Sequence, residues 1–364
     1  MIDGMNDSSS WLHRRYIQSS AQIVNRLVSV CLLAAFSGSI FTSSGCLSTS
    51  ENEVVVYCAL DREFSETILK EFETASNIKV LPKFDQESNK TVGLANEIIQ
   101  QRDRQRCDVF WNNEILHTLR LKQAGLLAVY DCPTKAGYPS QFYSADSDWY
   151  GFAARARVFL INTELLKDRE QWPDSIQDLI APQWKANCGI AKPLFGTTAT
   201  HAAVLYDQWG QEKADQFFEK IAKNTNVESG NKQVAVKVAR GEYAFGLTDT
   251  DDAIIEVEQG NPVAIVFPDQ GAESMGTLFI PNTLCILKDG PNLDNSKRLV
   301  EFLLSTSVEQ SLAKGRSAQI PLNRNSTQKS RVEPENLRFM QVDFESAARN
   351  WDRSRERLRT IFGL

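Results

Sequence analysis

Apolar and polar positions along the chain switch between two periods, and the switches lay out the elements. The run "VVVYCAL" (54–60) is continuous and apolar, as a buried strand is. The next stretch, "REFSETILKEFETASN" (62–77), places Phe64, Ile68, Leu69 and Phe72 on one helical face and ends on Asn77, a residue suited to a left-handed cap. "IKVLPKF" then reads as strand again. Strand, helix and strand within about 30 residues predict a parallel sheet with helices on its faces.

The alternation continues. "TVGLANEIIQQRDRQ" predicts a helix, "CDVFW" a strand and "ILHTLRLKQAGLL" a helix ending at Gly125. A loop rich in Tyr, Pro and Ser (130–148) leads to the extended "WYGFAARARVFLIN" and the strand-like "CGIAKPLF", after which "GTTATHAAVLYDQWG" opens a helix. "QVAVKVARG" is helical, and the strand Tyr243–Leu247 breaks into the acidic turn "TDTDD" (248–252). "GTLFIPNTLCILK" (276–288) is strand-like, "NSKRLVEFLLSTSVEQSLAKG" (295–315) reads as one amphipathic helix, and 343–361 as a last one. These elements predict an α/β chain of two lobes, with the loop 130–148 as the first candidate boundary between them. Ligand chemistry is expected at the strand ends, where open sheets bind.

The N-terminus stands apart from this pattern. Arg14, Arg15 and Arg26 precede the apolar run Leu27–Phe36, and small residues lead into "SSGC"; that is the order of a secretory signal over 1–45. "SSGC" resembles the lipobox of bacterial lipoproteins, with Ser43 where Leu is usual. Cys46 is then the lipidated first residue, 46–53 a tether, and the protein is expected in the periplasm or at the cell surface, anchored to a membrane. Five further cysteines (Cys58, Cys107, Cys132, Cys188 and Cys285) allow one or two disulfides, and their spacing is not that of a zinc site.

Charge narrows the function. A net of −6 without a block of Lys and Arg argues against nucleic-acid binding. Hydrolase motifs are missing: His117 sits within a helix, and His201 with Cys188 makes a pair only on paper. What remains is polar residues at four strand ends. Asp61 follows the first strand, and Asn113 with Glu114 follows "DVFW". Gly196, Thr197 and Thr198, with Thr200, open a helix in a manner suited to an oxyanion. Asp249, Asp251 and Asp252 crowd three carboxylates into four positions, more than a helix cap needs. Arg155 and Arg157 share one side of an extended segment, as anion ligands or counter-ions in a cleft or as interlobe salt bridges, the last being the expectation for Arg157. Converged, these groups make a cleft with an acidic wall and an anion-friendly helix start. Such a wall is costly without a cation to offset it.

In order and spacing, "VYCALDREF", "CDVFWNNEI", "QAGLLAVY", "GFAARARVFLIN", "ARGEYAFGL" and "GRSAQIPLN" together resemble the periplasmic substrate-binding proteins of ABC importers, in particular their ferric-iron-binding branch. The resemblance implies a two-lobed type II fold with a hinge, and a chain that crosses between lobes more than once: 54–150 with 272–320 returning to it form the first lobe, and 151–271 with the C-terminal helical segment 321–364 the second. It also implies closure on a solute passed to a permease, no enzymatic activity, and no cofactor other than a metal ion carried as cargo. A monomer is expected. At the ligands the chain departs from the iron pattern. Asp61 stands in place of a His, Asn113 with Glu114 one residue later in place of a Glu, and Asp251–Asp252 in place of a Tyr–Tyr pair, while the "GTT" turn at 196–198 matches the branch's anion site. The metal set expected from this is Asp61, Glu114, Asp251 and Asp252, with a synergistic anion on Thr197 and Thr198. A carboxylate set of this kind also suits an ammonium group, so a zwitterionic or phosphorylated organic solute such as an aminoalkyl phosphonate is the alternative cargo.

Overall fold

The structure is a computed structural model that describes residues 52–85 and 92–363. The leader, Cys46 and most of the tether lie outside the described residues. Strand β1 (Glu53–Cys58) buries Val54 and Val56, and lies parallel to β2 (Lys79–Phe84) on one side and β3 (Val109–Asn112) on the other. Helix α1 (Arg62–Ser76) joins the first two and buries Ile68, Leu69 and Phe72. It stops at Asn77 in the left-handed conformation (φ 54°), whose N–H reaches back to the Glu73 carbonyl. Pro82 is tolerated in β2 because that strand is the sheet edge. Helices α2 (Val92–Gln100) and α3 (Leu116–Gln123) flank β3.

The long strand β4 (Tyr150–Asn162) organises everything after this. Its 13 residues are all buried. The first half, to Ala156, pairs with β9 (Phe279–Ile286), which pairs in turn with β3. The second half, from Arg157, pairs with β7 (Phe245–Asp249) on one side and β8 (Val263–Val266) on the other. Beyond β7 come β5 (Cys188–Ala191) and β6 (Asn226–Glu228), both parallel. The strand order is thus β2-β1-β3-β9-β4-β7-β5-β6, and the passage from one half to the other falls within β4, between Ala156 and Arg157. A bulge at Ala153 (φ 42°) lies just before that passage.

Several elements differ from the pattern-based expectation. The strand before the acidic turn runs Phe245–Asp249 rather than Tyr243–Leu247, so Thr248 and Asp249 belong to it and helix α6 (Thr250–Glu258) follows without a loop. Helix α4 (Gly196–Asn224) is broken at Gly210 (φ 76°), and α5 is Asn231–Ala239. The single helix expected over 295–315 is two, α7 (Leu293–Leu303) and α8 (Thr306–Lys314), separated where the Ser305 hydroxyl caps Val308 N–H. The last helix is likewise split at Asn350 into α9 (Phe344–Arg349) and α10 (Trp351–Phe362).

That C-terminal segment touches both halves rather than the second alone. Arg357 pairs with Asp215 of α4 (2.9 Å), and Glu345 accepts from Lys122 of α3 (2.8 Å) and from the Trp149 indole (3.1 Å). All five described cysteines are buried and free, so none of the allowed disulfides is present among them. Among the described residues no helix is long and apolar enough to cross a membrane.

The tightest packing near the site is between β7 and α5. A Cβ on Gly246 would lie 2.4 Å from Val234 Cγ1 and 3.1 Å from the Gly189 carbonyl oxygen. We expect Gly246→Ala to cost roughly 1–3 kcal/mol through overpacking. Urea denaturation checks this, and a midpoint equal to wild type would show that β7 and α5 can separate freely.

Candidate functional site

Three helices begin on the same side of the second sheet. Each of α4, α5 and α6 follows the C-terminal end of a strand, β5, β6 and β7 respectively, and the N-cap residues Phe195, Gly230 and Asp249 supply no side-chain cap to them. Helix starts without caps expose backbone N–H groups and the positive end of the helix dipole. They open into one cavity of about 800 Å³, whose opposite wall is the β1–α1 junction at Asp61–Phe64, the start of α2, and Asn113.

The acidic turn meets two buried arginines on β4. Arg157 and Asp249 are direct cross-strand partners, and their side chains pair at 2.6 Å. Asp249 also accepts from the Thr197 hydroxyl (2.5 Å) and from Asn231 Nδ2 (2.9 Å), while Asn231 Oδ1 accepts from Arg157 (2.9 Å) and from Thr198 (3.1 Å). Two residues earlier on β4, Arg155 pairs through Nε with Asp251 (3.1 Å) and donates to the Asn113 carbonyl across the cavity. Burial alone lowers the Arg155 pKa. The carboxylates of Asp251, Asp249, Asp61 and Asp252 outweigh it and raise the pKa above the usual value. The acidic wall therefore carries two internal cations, where the sequence suggested that an external one was required.

Most of the sequence-derived residues come together here. Asp61, Asn113, Arg155, Gly196, Thr197, Thr198, Asp249, Asp251 and Asp252 all line the cavity. One oxygen from each of Asp249, Asp251 and Asp252 lies within 4.8 Å of the others, close enough for a shared cation. Glu114 is a correction. It is 1 % exposed, and its oxygens accept from Leu116 N–H (2.5 Å), His117 N–H (2.9 Å), Asn112 (2.8 Å) and Thr200 (3.0 Å). A carboxylate so occupied holds the start of α3 and has no oxygen to offer a metal in the cleft.

Asp249 is a partial correction, since both its oxygens already have protein donors. Thr197 and Thr200 are likewise occupied, so the three threonines are explained as much by the network as by an anion. Arg157, expected as an interlobe pair, is an in-sheet one instead. Sequence reasoning missed Asn231, which joins α4, α5 and β7, and the lysines Lys192 and Lys232 with Arg62 on the rim of the cavity. The "SGN" before α5 was the available signal, a small-residue turn into a helix like that at 196.

The pair Cys188 and His201 is chemically quiet. Burial pushes the Cys188 thiol up to about 12, and burial followed by the Arg157 charge pushes the His201 imidazole down to about 3. Both are held neutral, the reverse of an activated nucleophile and its base.

The sequence model of a family described as bacterial extracellular solute-binding protein matches residues 117–350. The major ferric iron-binding protein of Neisseria meningitidis is 24 % identical over 78 % of this chain and 84 % of its own length. Iron-bound HitA from Pseudomonas aeruginosa superposes with a TM-score of 0.76 at 21 % identity, over 86 % of this chain and 99 % of that one. The periplasmic binding protein AfuA from Actinobacillus pleuropneumoniae, solved with fructose-6-phosphate, gives 0.73 at 25 % identity, over 86 % and 99 %.

The network separates structural from ligand-facing aspartates. Removing the Asp249 charge leaves Arg157 buried without its partner, so Asp249→Asn is expected to cost about 3–5 kcal/mol. Asp252→Asn, at a partly exposed position of the first helical turn, is expected to cost less than about 1 kcal/mol. Chemical denaturation of both variants checks this difference, and equal losses would contradict it.

Proposed function

This chain belongs to the bacterial extracellular solute-binding proteins, and from that premise we propose that its cleft captures a metal ion with a synergistic anion for delivery to the permease of an ABC importer. The observation that carries the reading is the meeting, in one cavity, of two uncapped helix starts, those of α4 and α5, with the carboxylates of Asp251 and Asp252 on the first turn of α6. The helix starts suit an anion, and the carboxylates with Asp61 on the facing wall suit a hard cation. Ferric iron is the first cargo to test, because relatives of this chain are ferric iron-binding periplasmic proteins. The protein acts as a binder rather than an enzyme, as a monomer outside the cytosol, with lipid on Cys46.

A phosphorylated or zwitterionic organic solute is the second reading. Two observations favour it: Arg155 and Arg157 already balance Asp251 and Asp249, and no tyrosine lines the cavity among the described residues to supply a phenolate. In this case the anion takes the Gly196–Thr198 turn and an ammonium group takes Asp252.

Calorimetry on chelator-treated protein divides the two. We expect ferric ion in the presence of phosphate to bind, and the double variant Asp251→Asn/Asp252→Asn to lose at least about tenfold in affinity, equivalent to about 1.4 kcal/mol. Binding of fructose-6-phosphate or 2-aminoethylphosphonate with chelator present, and no binding of ferric ion, would replace the first reading by the second.

For the anchor, Cys46→Ala is expected to abolish incorporation of labelled palmitate and to release the protein from membranes. Labelling that persists in the variant would remove Cys46 from that role.

A further inference from the structure

Phe195 is out of place for an ordinary loop residue. Its side chain is 51 % exposed, and it lines the cavity. Its backbone is extended, and the next residue, Gly196, turns at φ 56° into α4. The turn that presents the helix start therefore also fixes where the ring is carried: ring and anion site come from consecutive residues.

Phe64, from the first turn of α1, and Ile255, from α6, are partly exposed and line the same cavity. Exposed aromatic surface is unfavourable in water and gains when covered. A cavity of about 800 Å³ is far larger than a metal ion with an inorganic phosphate, and falls in the range of sites that enclose organic molecules.

From this we infer that the anion taken at the start of α4 is an organic one, whose ring body lies against Phe195. Phe195 is then a specificity residue: it selects among anions that the helix start alone would accept equally. The inference rests on the proposed anion site. It holds whether the organic anion is the cargo or the partner of a metal ion.

The test is calorimetry with inorganic phosphate and phenyl phosphate as probes, on chelator-treated and on ferric-loaded protein. For wild type we expect phenyl phosphate to bind about tenfold tighter than inorganic phosphate. Phe195→Ala should erase that preference while leaving inorganic phosphate within about twofold, and Phe195→Leu should keep part of it. Thr198→Val should weaken both probes alike. The side chain of Phe195 is half exposed, so its loss leaves the core intact, which a thermal melt verifies. Preference in only the chelated or only the ferric-loaded protein tells which role the organic anion plays and supports the inference in either case. Equal affinities for the two probes in wild type, or an undiminished preference in Phe195→Ala, overturn the inference and leave the anion site standing. Equal weakening of both probes by Phe195→Ala also overturns it, because the ring would then act in closure. Failure of both probes to bind wild type in either metal state overturns the anion site itself, and this inference with it.

Discussion

Two guanidinium groups buried on one strand set the conditions for the rest of the site. Arg155 is 3 % and Arg157 0 % exposed. A charge so placed is tolerated only when paired and hydrogen-bonded, because desolvation costs several kcal/mol per ion. The pairing partners must come from the strand alongside and the helix that follows it, and they do: Asp249 closes β7 opposite Arg157, and Asp251 stands one helical step on against Arg155. Asn231 and Thr197 add hydrogen bonds to this pair, those to Arg157 all through Nη1 while its Nε and Nη2 stay buried without a hydrogen-bond partner, and in doing so tie the starts of α4 and α5 to the end of β7. The convergence of helix starts on the cavity is thus a consequence of compensating Arg157.

Compensation also decides what the site can offer a solute. The three carboxylates of the acidic turn are not equivalent. Asp249 is committed to structure, Asp251 is shared with Arg155, and Asp252, with Asp61 on the facing wall, faces the cavity that holds the uncapped helix starts. Lys192, Lys232 and Arg62 add positive charge at its rim. The cleft is therefore of mixed sign, with carboxylates on both walls and helix starts and basic side chains among them. It suits a bound species that itself carries both signs, which is what a metal with its anion and a phosphorylated amine have in common.

How far the sequence disclosed this depends on the range of the interaction involved. Local signals were readable: the period-3.6 face of α1, the left-handed cap at Asn77, and the strand-to-helix turn at Gly196 are set by residues within one turn of each other. The position of Arg155 and Arg157 on one side of a strand followed from alternation alone. Glu114 misled because its neighbours in sequence suggested a strand end open to solvent. Its true partners are two backbone N–H groups just ahead of it, the Asn112 amide and a threonine 86 residues away. Asn231 went unseen for the same reason, since its four side-chain partners, Arg157, Thr197, Thr198 and Asp249, lie on other elements. The division at Ser305 was hidden by an apolar period that runs through α7 and α8 without interruption, so that only the capping hydroxyl marks the break.

The strand that carries the arginines also limits where motion between the halves can occur. On the first-sheet side β4 is clamped. The bulge residue Ala153 donates to the buried Glu309 carboxylate (2.7 Å), which also takes Leu322 N–H (3.0 Å) and Asn323 N–H (2.6 Å), while Ala154 exchanges backbone hydrogen bonds with Ile320. A carboxylate holding three backbone donors resists displacement even though burial pushes its pKa up. Past the bulge, the ties across the halves include two side-chain ones near the cavity, Arg155 to Asp251 and Thr200 to Glu114. These lie beside or beneath the cavity, so a rotation that opened the cleft would strain them first, and a solute bridging Asp61 to Asp252 would reinforce them. Arg155 thus stands on the clamped strand, holds the acidic turn through Asp251 and reaches the Asn113 carbonyl on the facing wall.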